Sequence, residues 1–260
     1  MLRIIVLTSS PFGTASLCLP ELVRSKEIKI VSVILAEGSV SASRRAHYRR
    51  KLKKTLKIGL FGALNGLRMR RWFHPIATEH IHDLCERWSI PLHRTGSINS
   101  DRTVALFSAA DADLGLSLGN SFISRRVFSV PRYGMVNFHG ERLPEYQNGQ
   151  SIIWPIYNME RTTGLTIHQI DDGIDTGSVL HKEEFPIVFR PSLRETVKCS
   201  RQVTSGKVAA AVRFVCENYI ALASAAVKQT KGRSYTTPSA RQFYIMSRNN
   251  RRLFARSNGN

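Results

Sequence analysis

The sequence predicts an α/β fold, in which a Rossmann-like, mostly parallel sheet is flanked by helices and followed by a helical C-terminal extension. Short apolar runs rich in β-branched residues alternate with helical segments through the first two thirds of the chain, which is typical of strands joined by crossover helices. From Pro191 onward, apolar residues recur at helical spacing. We therefore expect a first domain over residues 1–187, with a basic helical insertion at about 40–72, and a helical extension with a basic tail over residues 188–260.

Seven apolar runs predict the strands. They are residues 3–10, 28–37, 90–95, 112–119, 135–140, 163–170 and 178–187. Turn residues interrupt the first run at once and no small-residue cleavage site follows it, so it predicts a strand and not a signal peptide. Helices are expected at residues 15–25, at 78–88 with Thr78 as the N-cap, at 99–108, 124–130 and 151–158, and over most of 192–227.

The positive charge of the chain is concentrated in two segments. The net charge is +19, yet residues 44–71 and all residues after Glu217 contain no acidic side chain. Such segments attract nucleic acid, anionic lipid surfaces or phosphorylated substrates, although a solvated soluble face explains them equally well. Four cysteines without paired spacing predict reduced thiols in the cytoplasm. No run is long enough to predict a membrane span.

The fifth apolar run ends in an amide and an imidazole that should share one face. Asn137 and His139 are separated by one residue, and side chains at that spacing point to the same side of a strand. The turn DDGIDTG between the next two strands supplies Asp171, Asp172 and Asp175. If the strand ends are neighbours, an imidazole held by a carboxylate can act as a general base, and the amide can stabilise an oxyanion. On spacing alone, a packed histidine and a satisfied turn aspartate are the favoured interpretation.

Other candidate sites are weaker. His74, His80, His82 and Cys85 include metal-ligand types, but only His82 and Cys85 share a helical face, so no metal site is predicted. The glycine-rich phosphate-binding motifs and the G-x-S-x-G nucleophile motif are missing from the sequence. His168 is interpreted as a strand residue on the floor of the site, structural more often than catalytic.

Two separated motifs carry a resemblance. The stretches RYGMVNFHGERLPEYQNGQSIIWPIYN and TTGLTIHQIDDGIDTGSVL resemble the folate-dependent formyltransferase family, whose pattern runs Asn-x-His, Leu-Pro-x-Tyr, Thr-Gly-x-Thr and Asp-x-Gly-x-Asp-x-Gly. The resemblance covers about residues 1–187. It implies a Rossmann-like domain that binds N10-formyltetrahydrofolate as co-substrate and passes the formyl group to a primary amine.

The resemblance also implies roles for residues. His139 would assist proton removal from the amine, Asn137 would stabilise the oxyanion, and Asp175 would orient His139. Residues implied to hold the cofactor are Asn120, Ser121, Phe122, Ile123, Asp171, Asp172, Gly173 and Ile174. Residues expected to contact the acceptor are Ser9, Ser10, Tyr146, Gln147, Asn148 and Gln150. The stretch from Glu141 to Asn148 departs from the family pattern, so we expect this loop to meet the acceptor.

The sequence is compatible with three functions. The helical C-terminus and the early first strand favour a nucleotide-sugar N-formyltransferase, which formylates a nucleotide-linked amino sugar for surface polysaccharide (O-antigen) biosynthesis. The basic insertion favours a methionyl-tRNA formyltransferase-like enzyme, and a non-catalytic polyanion-binding scaffold is the third alternative. The apolar stripe at about 205–227 further suggests a homodimer through the C-terminal helices.

Overall fold

The strands of the protein form one seven-stranded sheet in the order β3-β2-β1-β4-β5-β6-β7. The computed structural model describes residues 1–38, 56, 59, 62–69, 71–73 and 79–257. The strands are β1 (Leu2–Thr8), β2 (Ile28–Ala36), β3 (Leu92–Thr95), β4 (Leu114–Ser117), β5 (Met135–His139), β6 (Thr162–Gln169) and β7 (Val179–Pro186). All seven predicted strands are present, and the predicted α/β fold is confirmed.

The sheet changes from parallel to antiparallel pairing at β5. The pairs β3–β2, β2–β1, β1–β4 and β4–β5 are parallel, whereas β5–β6 and β6–β7 are antiparallel. The chain reverses direction across the sheet between β1 and β4, and ligands of open α/β sheets bind at such a switch point, outside the carboxyl ends of the strands. The ends of β1, β4 and β5 therefore define the edge where a site is expected.

Helices cover both faces of the sheet. They are α1 (Thr14–Val23), α2 (Ile81–Arg87), α3 (Asp101–Ala110), α4 (Arg125–Phe128), α5 (Ile153–Tyr157), α6 (Leu193–Glu217), α7 (Tyr219–Ala225) and α8 (Ala240–Ser257). Of the predicted basic insertion, only residues 62–69, which are helical, a 3-10 turn at Arg71–Phe73 and two isolated positions are described. The rest of that prediction lies outside the described residues.

The predicted start of one helix is wrong. Helix α2 begins at Ile81 and not at Thr78, which lies outside the described residues. His80 serves as its N-cap, because its Nδ1 atom accepts a hydrogen bond of 3.0 Å from the backbone N–H of His82. An imidazole can replace the usual hydroxyl or carboxylate cap when its ring nitrogen reaches a first-turn amide.

Part of the apolar stripe of the C-terminal extension is covered within the chain. Val208, Val212 and Val215 of α6 are buried in the same core cluster as the strand residues Ile4 and Leu165. Phe214, Ile220 and Val227 stay exposed, and the homodimer remains a prediction. Within the described residues no single helix is long and apolar enough to cross a membrane, although the bent pair α6–α7 meets that criterion by length and composition.

Candidate active site

Three adjacent strands bring polar side chains to one point. Ser117 ends β4 beside Asn137 of β5, and Asn137 lies opposite His168 of β6. A cavity of about 370 Å³ opens there. Its lining includes Ser117, Asn120, Ser121, Phe122, Ile123, Asn137, His139, Asn148, His168, Asp171, Gly173, Ile174 and Asp175. The predicted trio of Asn137, His139 and Asp175 therefore lines one cavity.

His139 is a buried imidazole held between two acceptors. Its Nε2 atom lies 3.0 Å from the carbonyl oxygen of Tyr146, which can only accept, so Nε2 carries the proton. Its Nδ1 atom faces Oδ2 of Asp175 at 3.5 Å. Burial lowers the pKa of His139 below the ordinary value of 6.5, and the charge of Asp175 opposes this shift. At neutral pH the ring is thus neutral, with its free lone pair on Nδ1 beside a carboxylate.

Asp175 is held in place by its own backbone and by three neighbours. Its φ of 55° lies in the left-handed region, which directs the carboxylate back from the β6–β7 turn. Oδ2 accepts the backbone N–H of Asn148 at 2.8 Å, and Oδ1 lies 3.6 Å from Nε2 of His168. Burial raises the pKa of Asp175, but the interactions with His168, His139 and Asn148 outweigh it and bring the pKa to about 2. The carboxylate is therefore ionised at neutral pH.

A glycine in the same turn permits a close backbone approach. A Cβ atom at Gly177 would lie 1.8 Å from the carbonyl oxygen of Gln169. That oxygen accepts the Nδ1–H of His168 at 2.8 Å. The last glycine of the Asp-x-Gly-x-Asp-x-Gly pattern is thus required by the strand end that orients His168.

His168 contributes more than the sequence interpretation gave it. Its ring is buried, and its Nε2 atom lies 3.2 Å from Nδ2 of Asn137. This contact depends on the antiparallel register that sets Asn137 opposite His168. The register pairs residues that are far apart in the chain, so the spacing of side chains along a single strand could not predict this contact.

The residues predicted to hold the cofactor reach the cavity, with one exception. Asn120 to Ile123 line one side, while Asp171, Gly173 and Ile174 line another. Asp172 is absent from the lining, because its carboxylate forms an ion pair with Arg125 on the exposed surface. The exposed aromatic ring of Phe122 and the exposed side chain of Ile174 provide apolar surface that suits a flat bicyclic ring.

The residues predicted to contact the acceptor are divided among several environments. Ser9 Oγ donates to Oδ1 of Asn120 at 2.8 Å, so its proton is engaged. Ser10 lines a second cavity, and Asn148 lines the first. Gln147 is buried and pairs with Gln229. Gln150 lines neither cavity, and its Oε1 atom is buried without a hydrogen-bond partner among the described residues.

Tyr146 does not present its side chain to a ligand. The ring is buried and stacks on Tyr235 with ring centroids 5.3 Å apart. Its hydroxyl donates to Glu160 at 2.6 Å. Only the backbone carbonyl of Tyr146 belongs to the site, where it fixes His139.

The expectation that the loop after His139 meets the acceptor is wrong for its first two side chains. The carboxylate of Glu141 is fully buried and accepts hydrogen bonds from four donors. These are the backbone N–H groups of Arg142, Ile152 and Gly164 and the hydroxyl of Thr163. Arg142 in turn pairs with Glu160 and Glu184. These contacts direct both side chains toward β6 and β7, where they secure the loop.

A second cavity of about 320 Å³ adjoins the first. Gly119 and Phe138 line both cavities. The second is bounded by Ser10 of the β1–α1 loop, by Thr14 at the start of α1 and by Arg201 of α6. The guanidinium of Arg201 donates to the carbonyl oxygen of Trp72 at 3.0 Å and lies 5.2 Å from the ring centre of Phe73. This cavity therefore combines small polar groups with a positive charge.

No cluster of three or more potential metal-ligating side chains occurs among the described residues. His82 is exposed and lies beside Asp83 and Glu86, whereas Cys85 is buried. His74 lies outside the described residues.

Part of the chain is similar to known proteins. Residues 100–210 match the model of the formyl transferase family. This formyl transferase segment contains Ser117, Asn137, His139, His168 and Asp175. A methionyl-tRNA formyltransferase from Rickettsia canadensis (strain McKiel) is 28% identical over 121 residues, which are 46% of this chain and 40% of that protein. One from Rickettsia prowazekii (strain Madrid E) is 28% identical over 127 residues, or 48% and 42%. The chain thus matches less than half the length of these relatives.

Solved structures share the fold over nearly the whole described chain. Glycinamide ribonucleotide transformylase 1 from Symbiobacterium toebii aligns with a TM-score of 0.60 at 13% identity, covering 89% of this chain and 92% of that one. HypX from Aquifex aeolicus in complex with tetrahydrofolic acid aligns with a TM-score of 0.53 at 15% identity, covering 93% of this chain and 30% of that one. The fold around the formyl transferase segment is therefore the one found in these proteins.

Proposed function

We propose that the protein transfers a formyl group from N10-formyltetrahydrofolate to the primary amine of an acceptor. The observation that carries this proposal is the convergence of Asn137, His139 and Asp175 on one cavity, within the segment that matches the formyl transferase family. Apolar side chains on that lining suit a pterin ring, and the backbone of the turn from Asp171 to Ile174 offers hydrogen-bonding groups for its polar edge.

The three side chains have complementary tasks in this reaction. Bound N10-formyltetrahydrofolate supplies the formyl carbon, which gains a bond to the acceptor nitrogen and loses its bond to N10. Asn137 directs an Nδ2–H toward the carbonyl oxygen where negative charge develops. His139 accepts the amine proton at Nδ1 and returns a proton to the departing N10 nitrogen. Asp175 stabilises the imidazolium that forms between these steps.

The second cavity supports an anionic acceptor. It shares Gly119 and Phe138 with the first, and we propose that an acceptor bound there directs its amine toward the formyl group in the first cavity. Arg201 supplies a guanidinium, which binds phosphate in a bidentate manner. We therefore propose a nucleotide-linked amino sugar as the acceptor, with its diphosphate near Arg201. Such a substrate belongs to surface polysaccharide biosynthesis in the cytoplasm.

A second acceptor, methionyl-tRNA, is favoured by the surface of α8. Arg241, Arg248, Arg251, Arg252 and Arg256 are all exposed on this helix, which contains no acidic residue. Exposed Tyr244 lies among them. Phe243 of α8 packs on Trp72 with ring centroids 5.8 Å apart, so α8 adjoins the basic insertion. The described end of the basic insertion, at Met69 and Trp72, thus packs in the same apolar cluster as Met246 and Leu253 of α8, and exposed arginines of this kind suit the phosphates of a polyanion.

A product assay by mass spectrometry distinguishes these acceptors. The protein is mixed with N10-formyltetrahydrofolate and a panel of nucleotide-linked amino sugars, with methionyl-tRNA in a parallel reaction and His139→Asn as the inactive control. A formylated sugar supports the first acceptor, and formylated tRNA supports the second. If neither acceptor is formylated and both cofactor and acceptors bind, the proposed reaction is wrong and a polyanion-binding scaffold becomes the better description.

A further inference from the structure

A chain of hydrogen bonds runs from β1 to β6 through Asn137. It starts at Asn120, whose Nδ2 atom donates to the carbonyl oxygen of Leu7 at 2.7 Å and to Oγ of Ser117 at 3.1 Å. Ser117 Oγ donates in turn to Oδ1 of Asn137 at 2.9 Å. At the far end, Nδ2 of Asn137 lies 3.2 Å from Nε2 of His168. Ser117 is 1% exposed, so water does not compete for its hydroxyl.

The direction of every bond in this chain is determined by a backbone carbonyl at each end. A carbonyl oxygen only accepts, so Leu7 requires that Asn120 present Nδ2 to it, and the second Nδ2–H then points at Ser117. The Ser117 hydroxyl, which receives that hydrogen, has its own proton directed to Oδ1 of Asn137. The carbonyl of Gln169 likewise requires a proton on Nδ1 of His168, so that Nε2 is the acceptor in the neutral ring.

Both ends therefore require the same orientation of the Asn137 amide. The oxygen faces Ser117, one Nδ2–H faces His168, and the second Nδ2–H remains for the cavity that Asn137 lines. If the amide rotated by 180°, Oδ1 would face a lone pair of His168, and an amide oxygen would replace a donor at the developing oxyanion.

We propose that Ser117 and Asn120 are positioning residues that set the amide of Asn137 as a hydrogen-bond donor to the reacting carbonyl. This inference rests on the proposed formyl transfer. It also gives Asn120 a role other than direct cofactor binding, because both of its N–H bonds are used within the protein. Ser9 completes the arrangement by donating to Oδ1 of Asn120 at 2.8 Å.

The test compares Ser117→Ala with Ser117→Thr and a matched control. Ser117→Ala removes the hydroxyl that orients the amide, and Ser117→Thr retains a hydroxyl. Ser32→Ala is the control, since Ser32 is also a buried strand serine, and its hydroxyl has no hydrogen-bond partner among the described residues. Steady-state formyl transfer is measured at varied N10-formyltetrahydrofolate concentrations, together with thermal unfolding of each variant.

We expect Ser117→Ala to lower kcat about tenfold or more, below the roughly 10²–10³-fold cost of losing an oxyanion donor altogether. The KM for N10-formyltetrahydrofolate should stay within about twofold of the wild-type value, since ground-state binding is unchanged. Ser117→Thr should restore most of the rate, and Ser32→Ala should match the wild type. A Ser117→Ala enzyme with wild-type kcat overturns the proposal, as does a rate loss shared equally by Ser32→Ala.

A second readout does not depend on turnover. The side-chain amide signals of Asn137 are assigned in a ¹⁵N spectrum by their disappearance in Asn137→Asp. They should shift in Ser117→Ala and remain in place in Ser32→Ala. Unshifted signals overturn the orienting role even if the wild type transfers no formyl group to any acceptor. An inactive wild type with shifted signals would instead reject the proposed function and retain the hydrogen-bond chain.

Discussion

The Nδ1 atom of His139 faces the Oδ2 atom of Asp175 across 3.5 Å, with both side chains largely shielded from solvent. One residue ends β5 and the other lies in the turn after β6, so the antiparallel pairing of these strands creates the contact. A neutral imidazole beside an ionised carboxylate can gain a proton without leaving an uncompensated charge in the interior.

Replacement of His139 by Asn should abolish proton transfer while leaving the fold in place. We expect kcat for formyl transfer to fall by about 10²–10⁴-fold, the usual contribution of a positioned general base. Tetrahydrofolate binding, measured by isothermal titration, should change little. A variant that retains the wild-type rate would show that the proton leaves by another route.

The acid limb of the pH profile should reflect His139. Because burial lowers the pKa of His139, the ring stays neutral as the pH falls through 6.5 and becomes protonated only below that value. The rate should therefore remain high at pH 6.5 and decline at lower pH, with Asp175 ionised throughout because its pKa is about 2. Stability should decline in the same direction, since the unfolded chain takes up this proton first. A kcat/KM profile with its midpoint above 6.5 would contradict this assignment.

Substitution of Glu141 by Gln should destabilise the protein. An amide offers one acceptor oxygen and places an NH₂ group against donors that now face a carboxylate. We expect the free energy of unfolding to fall by about 3 kcal/mol, from the loss of buried hydrogen bonds to a charged group. Urea denaturation measures this change. Glu145→Gln is the control, because Glu145 is exposed, and its pairing with Lys182 should contribute less than about 1 kcal/mol.

Removal of the charge of Arg201 should affect the acceptor and not the cofactor. If Arg201 binds an anionic group in the second cavity, Arg201→Met should raise the KM for a nucleotide-linked amino sugar about tenfold or more, as expected for a hydrogen bond to a charged group. The KM for N10-formyltetrahydrofolate should be unchanged, because that ligand is assigned to the other cavity. Equal increases in both KM values would place Arg201 in a general structural role.

The arginine face of α8 provides a test of the tRNA alternative. Reversal of Arg248 and Arg252 to Glu should weaken tRNA binding and reduce the slope of log K against log salt by about one unit for each lost phosphate contact. Sugar formylation should be unaffected, since these exposed side chains line neither cavity. A salt response identical to the wild type would show that α8 does not contact phosphate.

Each strand was predictable because it has its own apolar run in the sequence. The pairing of the strands was not predictable, because it joins residues that are far apart in the chain. The sharing of one cavity by Asn137, His139 and Asp175 was expected from two local motifs, from the rule that sheet edges bind ligands and from the resemblance to the formyltransferase family. The contacts of Asn137 with Ser117 and His168 required the order and register of β4, β5 and β6. Glu141 was misread for a related reason, since its burial depends on donors from Ile152, Thr163 and Gly164.

The wall shared by the two cavities has a metabolic consequence. On the proposed function, a direct transfer between the two cavities, which share Gly119 and Phe138, requires that formyl donor and acceptor be bound at the same time. Product would then form only when both the formyl donor and the acceptor are available, and a shortage of either substrate would stop the reaction without a separate regulator. The rate of product formation would therefore depend on one-carbon metabolism and on the pathway that supplies the acceptor.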